Sequence, residues 1–224
     1  MTYTLLFDLD GTLLNPREGI INSIQYALRR FDTVDFADEE LLWCIGPPLT
    51  ESFAKLLQTD DPATIAEAVV SYRDYFGTEG LLQNKLYPKI PTLLKRLNEQ
   101  GHSLFVATSK PHVYAAKILQ DFGLAQQFVQ IYGSEFDGTR ANKGELLHYI
   151  LAKERLDPTH TLMIGDRKHD ILGARQCGLR SIGVLWGFGA DGELAQNGAT
   201  YLVKQPLDVA YIVEQQAKTN TPNF

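Results

Sequence analysis

Short apolar runs and helix-period segments take turns along most of this chain. That alternation restricts the fold more than any single residue does. Residues 3–7 (YTLLF), 102–108 (HSLFVAT), 128–133 (FVQIYG), 160–165 (HTLMIG), 180–186 (RSIGVLW) and 200–203 (TYLV) read as strands. They are short, apolar and rich in β-branched or aromatic residues, as strands covered on both faces are. Helical periodicity fills 91–100, 112–122, 142–155 and 168–177, with Pro91 suited to a first turn and Gly101, Gly123 and Gly178 suited to stops. Strands alternating with helices predict an α/β fold with a Rossmann-like parallel sheet and crossover helices. A chain of 224 residues with 44% hydrophobic content can fill such a core.

Residues 15–83 break the rhythm. They contain no convincing strand, and GIINSIQYALRRF, DEELLWCI, LTESFAKLL and PATIAEAVVSYRDYF all read as amphipathic helices. The expected organisation is therefore a core formed by 1–14 and 84–224, with a small α-helical unit, 15–83, inserted after the first strand. The polar tail 218–224 is expected to fray.

A net charge of −6 and a pI near 5.4, with no basic stripe, argue against a nucleic-acid binder. No uninterrupted apolar run has spanning length and no signal peptide is visible, so no membrane association is expected. Cys44 and Cys177 stand in unrelated contexts, which predicts free thiols and a cytoplasmic location. The five histidines lack zinc spacing.

In an open parallel sheet, ligands sit beyond the carboxyl ends of the strands. Asp8 and Asp10 follow the first strand, Thr108, Ser109 and Lys110 the second, and Asp166 the strand at 160–165, with Asp170 one helical turn on. Taken singly, Asp166 is more often a helix cap than a ligand and Asp170 a solvated first-turn acid. Capping does not explain DxD followed by Gly-Thr. Two acids so close repel unless a cation lies between them or one holds a proton. All-oxygen donors without Cys or His favour Mg²⁺ over Zn²⁺. Asp8 and Asp166 can supply carboxylates to such an ion, and Lys143, opening a helical segment, can bring positive charge to the same edge.

With FDLDGTLL (7–14), VATSK (106–110), Lys143 and IGDRKHD (164–170) in that order, the sequence resembles the haloacid dehalogenase superfamily of phosphatases, in the branch of phosphoglycolate phosphatases and 5′-nucleotidase-like enzymes. The resemblance implies that Asp8 is the nucleophile that becomes an aspartyl-phosphate and that Asp10 is the general acid and base. It implies that Thr108, with Ser109 beside it, binds the phosphoryl group and that Lys143 holds phosphate and nucleophile together. The metal set it implies is Asp8, Asp166, Asp170 and the Asp10 backbone carbonyl around Mg²⁺. Segment 15–83 matches a helical cap. Arg167 stands where many relatives carry Ser or Thr, which places a cation near the substrate.

These features imply a Mg²⁺-dependent phosphomonoesterase of small phosphorylated metabolites, acting as a monomer or homodimer, with 5′-nucleotidase activity the first expectation and phosphoglycolate phosphatase the second. A β-phosphoglucomutase-like enzyme keeps the same acids and cap. A silent binding module is the reading from another class, and the intact set of acids argues against it. Trp43, Phe53, Tyr72, Tyr75 and Phe76 are expected to fill the helical unit's own core. Arg17 and Arg73 are its best candidates for substrate contact, although arginines so placed more often lie on a solvated face, and Arg140 joins Arg167 in the loops expected to face the leaving group.

Overall fold

The computed structural model describes residues 1–31, 33 and 35–219. Residues 220–224, most of the tail expected to fray, lie outside them. Six parallel strands form one sheet in the order β5-β4-β1-β6-β7-β8: β1 (Thr4–Phe7), β4 (Ser103–Pro111), β5 (Gln130–Ser134), β6 (Thr161–Gly165), β7 (Arg180–Val184) and β8 (Tyr201–Val203). From β1 the chain first builds outward through β4 and β5, then returns to the other side of β1 for β6, β7 and β8. The winding direction therefore reverses at β1, and a crevice opens at its carboxyl end.

Strand alternation divides the core between the two faces. Leu5, Phe7, Leu104, Val106, Leu162 and Ile164 join one buried cluster, while Leu6, Phe105, Ala107 and Met163 join another. The first face carries α4 (Ile90–Glu99), α5 (His112–Asp121) and α9 (Pro206–Thr219). Leu146, Leu147 and Ile150 of α6 (Lys143–Glu154) and Ala174 of α7 (Lys168–Gln176) cover the second. The three-layer arrangement matches the expected fold class. Helix α9 and the single-turn α8 (Glu193–Gln196) had no counterpart among the expected elements.

Between β1 and α4 lie α1 (Arg17–Leu28), α2 (Leu49–Leu56) and α3 (Pro62–Phe76). Asp61 caps α3 by accepting from Ala63 N and Thr64 N, with Pro62 at its first position. Segment 38–45, expected as an α-helix, instead forms a 3₁₀ helix, Asp38–Cys44, with the Ile45 N–H donating to the Leu42 carbonyl. Gly46 and two prolines follow at once and stop it there. A two-residue ribbon the sequence does not announce, β2 (Leu14–Asn15) against β3 (Lys85–Leu86), ties the two ends of the helical segment together. Phe53, Tyr72 and Phe76 are buried as expected, whereas Trp43 is exposed and Tyr75 only half-buried.

Candidate active site

The floor of the site is set by register. Phe7 lies opposite Val106 on one side and Ile164 on the other, so Asp8 and Asp166, just past the ends of β1 and β6, and Thr108, within β4, stand at nearly the same height on three adjacent strands. Helix α6 adds Lys143: Asn142 caps it, accepting from Gly144 N at 2.9 Å and Glu145 N at 3.2 Å, and this places Lys143 at the first helical position. The Lys143 ammonium donates to Asp8 Oδ1 at 2.7 Å and the Ala107 carbonyl at 2.8 Å, and pairs with Asp170 Oδ1 at 2.9 Å. Asp170 in turn accepts from the Arg167 N–H at 3.1 Å.

Asp8, Asp166 and Asp170 are all buried, and each offers a carboxylate oxygen within 4.8 Å of the others'. Asp166 is fixed from two sides, by the Phe188 N–H at 2.8 Å and the Thr12 hydroxyl at 3.3 Å. Gly11 makes room for it: its φ is +86°, and a Cβ there would fall 2.1 Å from Asp166 Oδ2. The glycine of the DxDG string is thus required both by backbone conformation and by space.

Three buried carboxylates, two of them on the Lys143 ammonium and Asp166 beside them, are short of positive charge. Burial pushes the Asp8 carboxyl above the ordinary carboxylate range, with Asp170 adding repulsion and Lys143 opposing both. Asp166 is pushed well up by burial and by its two acidic neighbours. For Lys143, burial pulls the pKa down, but Asp170 and Asp8 outweigh it and the net shift is upward. The trio holds carboxylates in a charge state that a divalent, oxygen-seeking cation relieves. Asp8, Asp166 and Asp170 therefore fit Mg²⁺.

The Asp10 carboxylate stands outside this trio, leaving only its backbone carbonyl for the metal role expected of it. Its Oδ2 accepts from the Lys110 ammonium at 2.5 Å, and both residues are buried. Burial raises the Asp10 pKa even so, with Lys110 opposing. Sequence reasoning named Lys110 at the strand end and assigned it no role. β4 runs on to Pro111, past the strand end expected at 108, and so carries Lys110 to Asp10.

Above this floor a cavity of about 140 Å³ separates the sheet edge from the helical segment. Asp8, Asp10, Asp170, Thr108, Ser109, Lys143 and Arg167 all border it, and Asp166 does not. The Thr108 hydroxyl accepts from Lys110 N at 3.2 Å, and the Ser109 carbonyl accepts from the Ser134 hydroxyl at 2.8 Å. Arg167 bridges outward. Its Nε donates to Glu193 Oε1 at 3.1 Å and its Nη1 to the Ile45 carbonyl of the helical segment. Glu193, unnoticed in the sequence, sits 26 residues downstream of Arg167, and no local motif links them. Tyr72, Phe76 and Arg73 of α3 form part of the cavity's opposite wall. Arg17 does not reach it and pairs with Glu39 at 2.6 Å on the surface. Arg140 is likewise not on the cavity wall and pairs with Glu135.

A family model, haloacid dehalogenase-like hydrolase, matches residues 5–184, and the chain belongs to that family. A protein of Pseudomonas aeruginosa named 5′-nucleotidase is 48% identical over 199 residues, covering 88% of this chain and 89% of that one. One of Mycobacterium tuberculosis named tyrosine-protein kinase is 36% identical over 185 residues, covering 83% of this chain but 62% of that protein. The crystal structure of a predicted phosphatase from Clostridium acetobutylicum superimposes with a TM-score of 0.90 at 39% identity, covering 97% of this chain and all of that one. Further relatives are named pyrophosphatase and phosphoglycolate phosphatase. The protein is a phosphatase of the haloacid dehalogenase-like family, and its fold is the one the resemblance implied.

Proposed function

We propose that the protein is a Mg²⁺-dependent phosphomonoesterase of small phosphorylated metabolites, and that nucleoside 5′-monophosphates are the substrates to test first. The observation that carries the reading is Lys143 buried between Asp8 and Asp170 at the floor of the cavity. The similarity to a protein named 5′-nucleotidase supports the choice of nucleotides. Segment 15–83 serves as the cap in this reading, closing over the ester and excluding bulk water. Two free thiols, Cys44 and Cys177, suit a reducing cytoplasm.

The residues divide the chemistry as follows. An Asp8 oxygen attacks phosphorus while the bond from phosphorus to the leaving oxygen breaks. Asp10, whose pKa burial raises, gives its proton to that oxygen. Asp10 then takes a proton from water, the water oxygen attacks phosphorus, and the Asp8 ester opens to release phosphate. Lys143 and Thr108 hold the phosphoryl oxygens in place and offset charge that would otherwise repel the Asp8 carboxylate. Mg²⁺, held by Asp8, Asp166, Asp170 and the Asp10 carbonyl, supplies further charge neutralisation when bound.

Steady-state kcat/KM on nucleotides, sugar phosphates, 2-phosphoglycolate, pyrophosphate and a phosphotyrosyl peptide tests the proposal. Preference for a small monoester supports it, and the panel member that wins names the substrate class. A peptide preferred over every small ester overturns the cap argument. Conversion of β-glucose 1-phosphate to the 6-phosphate without phosphate release would make the enzyme a mutase.

A further inference from the structure

The Asp10 carboxyl has one hydrogen-bond partner among the described residues. Its Oδ2 accepts from the Lys110 ammonium at 2.5 Å, and its Oδ1 has none. Lys110 in turn meets no other carboxylate within salt-bridge distance among the described residues. Both residues border the cavity. Burying an ammonium costs free energy, and here a single acid offsets that cost. Lys110 is neither a metal donor nor a phosphoryl ligand in the proposed chemistry.

The backbone is built to deliver Lys110 to that place. Ala107 pairs with Tyr132 and Pro111 with Ser134, so between these pairs β4 advances four residues while β5 advances two. The surplus forms a bulge over residues 108–110, and a bulge turns its side chains out of the regular alternation. Gly133 leaves room for it: a Cβ there would fall 2.4 Å from the Lys110 carbonyl oxygen. The Ser134 hydroxyl ties the bulge to β5 by donating to the Ser109 carbonyl at 2.8 Å. The ammonium also lies 4.6 Å from the centre of the Phe76 ring, so α3 of the helical segment braces it.

A hydrogen bond from a side chain so constrained fixes the rotation of the carboxyl it meets. Proton transfer in the transition state depends on that orientation, and a displacement of about 1 Å can cost about a hundredfold in rate. We infer that Lys110 is a positioning residue, holding the Asp10 carboxyl in the orientation from which its proton passes to the leaving oxygen. The inference deepens the proposed phosphomonoesterase reading and rests on it. In the step concerned, the bond from Asp8 to phosphorus forms. The bond from phosphorus to the leaving oxygen breaks with its electron pair on that oxygen, and the Asp10 proton joins it. Lys110 keeps its own protons throughout.

Esters whose leaving oxygens differ in basicity read that step. 4-Nitrophenolate departs without a proton, whereas a benzyl alkoxide needs one. The measurement is the ratio of kcat/KM for benzyl phosphate to that for 4-nitrophenyl phosphate, because kcat/KM covers the steps through loss of the leaving group. Lys110→Met should lower this ratio by about 10- to 100-fold, part of the worth of a general acid. Asp10→Asn should lower it at least as far. In the Asp10→Asn background, Lys110→Met should change the ratio by less than about twofold, because Lys110 acts through the proton that this background lacks.

If Lys110→Met fails to melt cooperatively, the ratio is read in Lys110→Gln. Its shorter amide stops short of Asp10, and the ratio should fall likewise. A loss that strikes both esters equally, or neither, means a structural or phosphate-binding lysine and overturns the inference. So does a fall in the Asp10→Asn background as large as in the wild type, which would put Lys110 directly on the leaving group. An unchanged ratio in Asp10→Asn would remove Asp10 as the acid. No phosphate release from any ester by the Mg²⁺-loaded wild type would remove the phosphomonoesterase reading itself. The inference falls with either.

Discussion

Lys143 is the side chain on which most of the proposed site depends. Its ammonium is surrounded by Asp8, Asp170 and the Ala107 carbonyl, and the side chain is almost wholly buried. Removing one partner of a buried ionic cluster leaves the others uncompensated, typically at about 3–5 kcal/mol. Lys143→Met should therefore unfold at lower urea than the wild type, and added Mg²⁺ should recover part of the loss. A midpoint equal to the wild type's would show that the cluster is not charge-stabilised in this way. Asp8→Asn changes the chemistry with little change in shape. It should stay folded by circular dichroism yet lose turnover by about a thousandfold or more, the scale of removing a covalent nucleophile. Substantial turnover in that variant would refute the assignment of Asp8.

Two elements deserve their own tests. Helix α6 delivers Lys143 because Asn142 caps it, so Asn142→Ala should cost about 1 kcal/mol in a urea titration. The variant should also lower kcat, since the first turn that places Lys143 loses its anchor. The second test concerns the entry to the sheet, where the Tyr3 N–H donates to His102 Nδ1 at 3.0 Å, joining the starts of β1 and β4. Burial lowers the His102 pKa below its ordinary 6.5, with the nearby N-terminal ammonium acting the same way. The unfolded chain then binds this proton more readily than the folded one. Stability from this site is complete above about pH 6.5 and declines as the pH falls below it. Denaturation midpoints of the wild type should drop between pH 7.5 and 5.5 by more than those of His102→Asn. Parallel pH profiles for the two would remove His102 as the source.

For the whole molecule the test is the metal. A ligand present at a hundred times its Kd stabilises by about 2.7 kcal/mol. In a chain this long that corresponds to a rise in Tm of roughly 5–10 °C. Mg²⁺ should produce such a rise in the wild type and a much smaller one in Asp166→Asn, because the trio loses a carboxylate held by Phe188 N and Thr12. Chelation should abolish phosphate release and Mg²⁺ should restore it, with Mn²⁺ and Co²⁺ substituting and Ca²⁺ restoring little. Full activity after exhaustive chelation would contradict the proposed role of the metal.

Strands β1, β4 and β6 and the acids that end them were legible in the chain itself. A run buried on both faces must be continuously apolar, so the first carboxylate after it marks the sheet edge. Asp8 and Asp166 were readable for that reason, and Thr108 as the first of the polar residues that close its own apolar run. The helical segment was legible by its period, though not the 3₁₀ form of Asp38–Cys44, which depends on where Gly46 and the prolines stop it. The ribbon of β2 and β3 escaped notice because two residues carry no periodicity. Partnership was decided only in three dimensions. Lys110 reaches Asp10 across 100 residues of chain, Arg167 reaches the Ile45 carbonyl across 122, and Arg73 meets Phe136 across 63. Arg17 and Arg73 looked alike in the sequence, and packing sent one to a surface carboxylate and the other to the cavity wall. A pattern of apolar residues specifies which face of an element is buried. What that face meets depends on how the helical segment sits over the sheet, and no local signal in the chain encodes it.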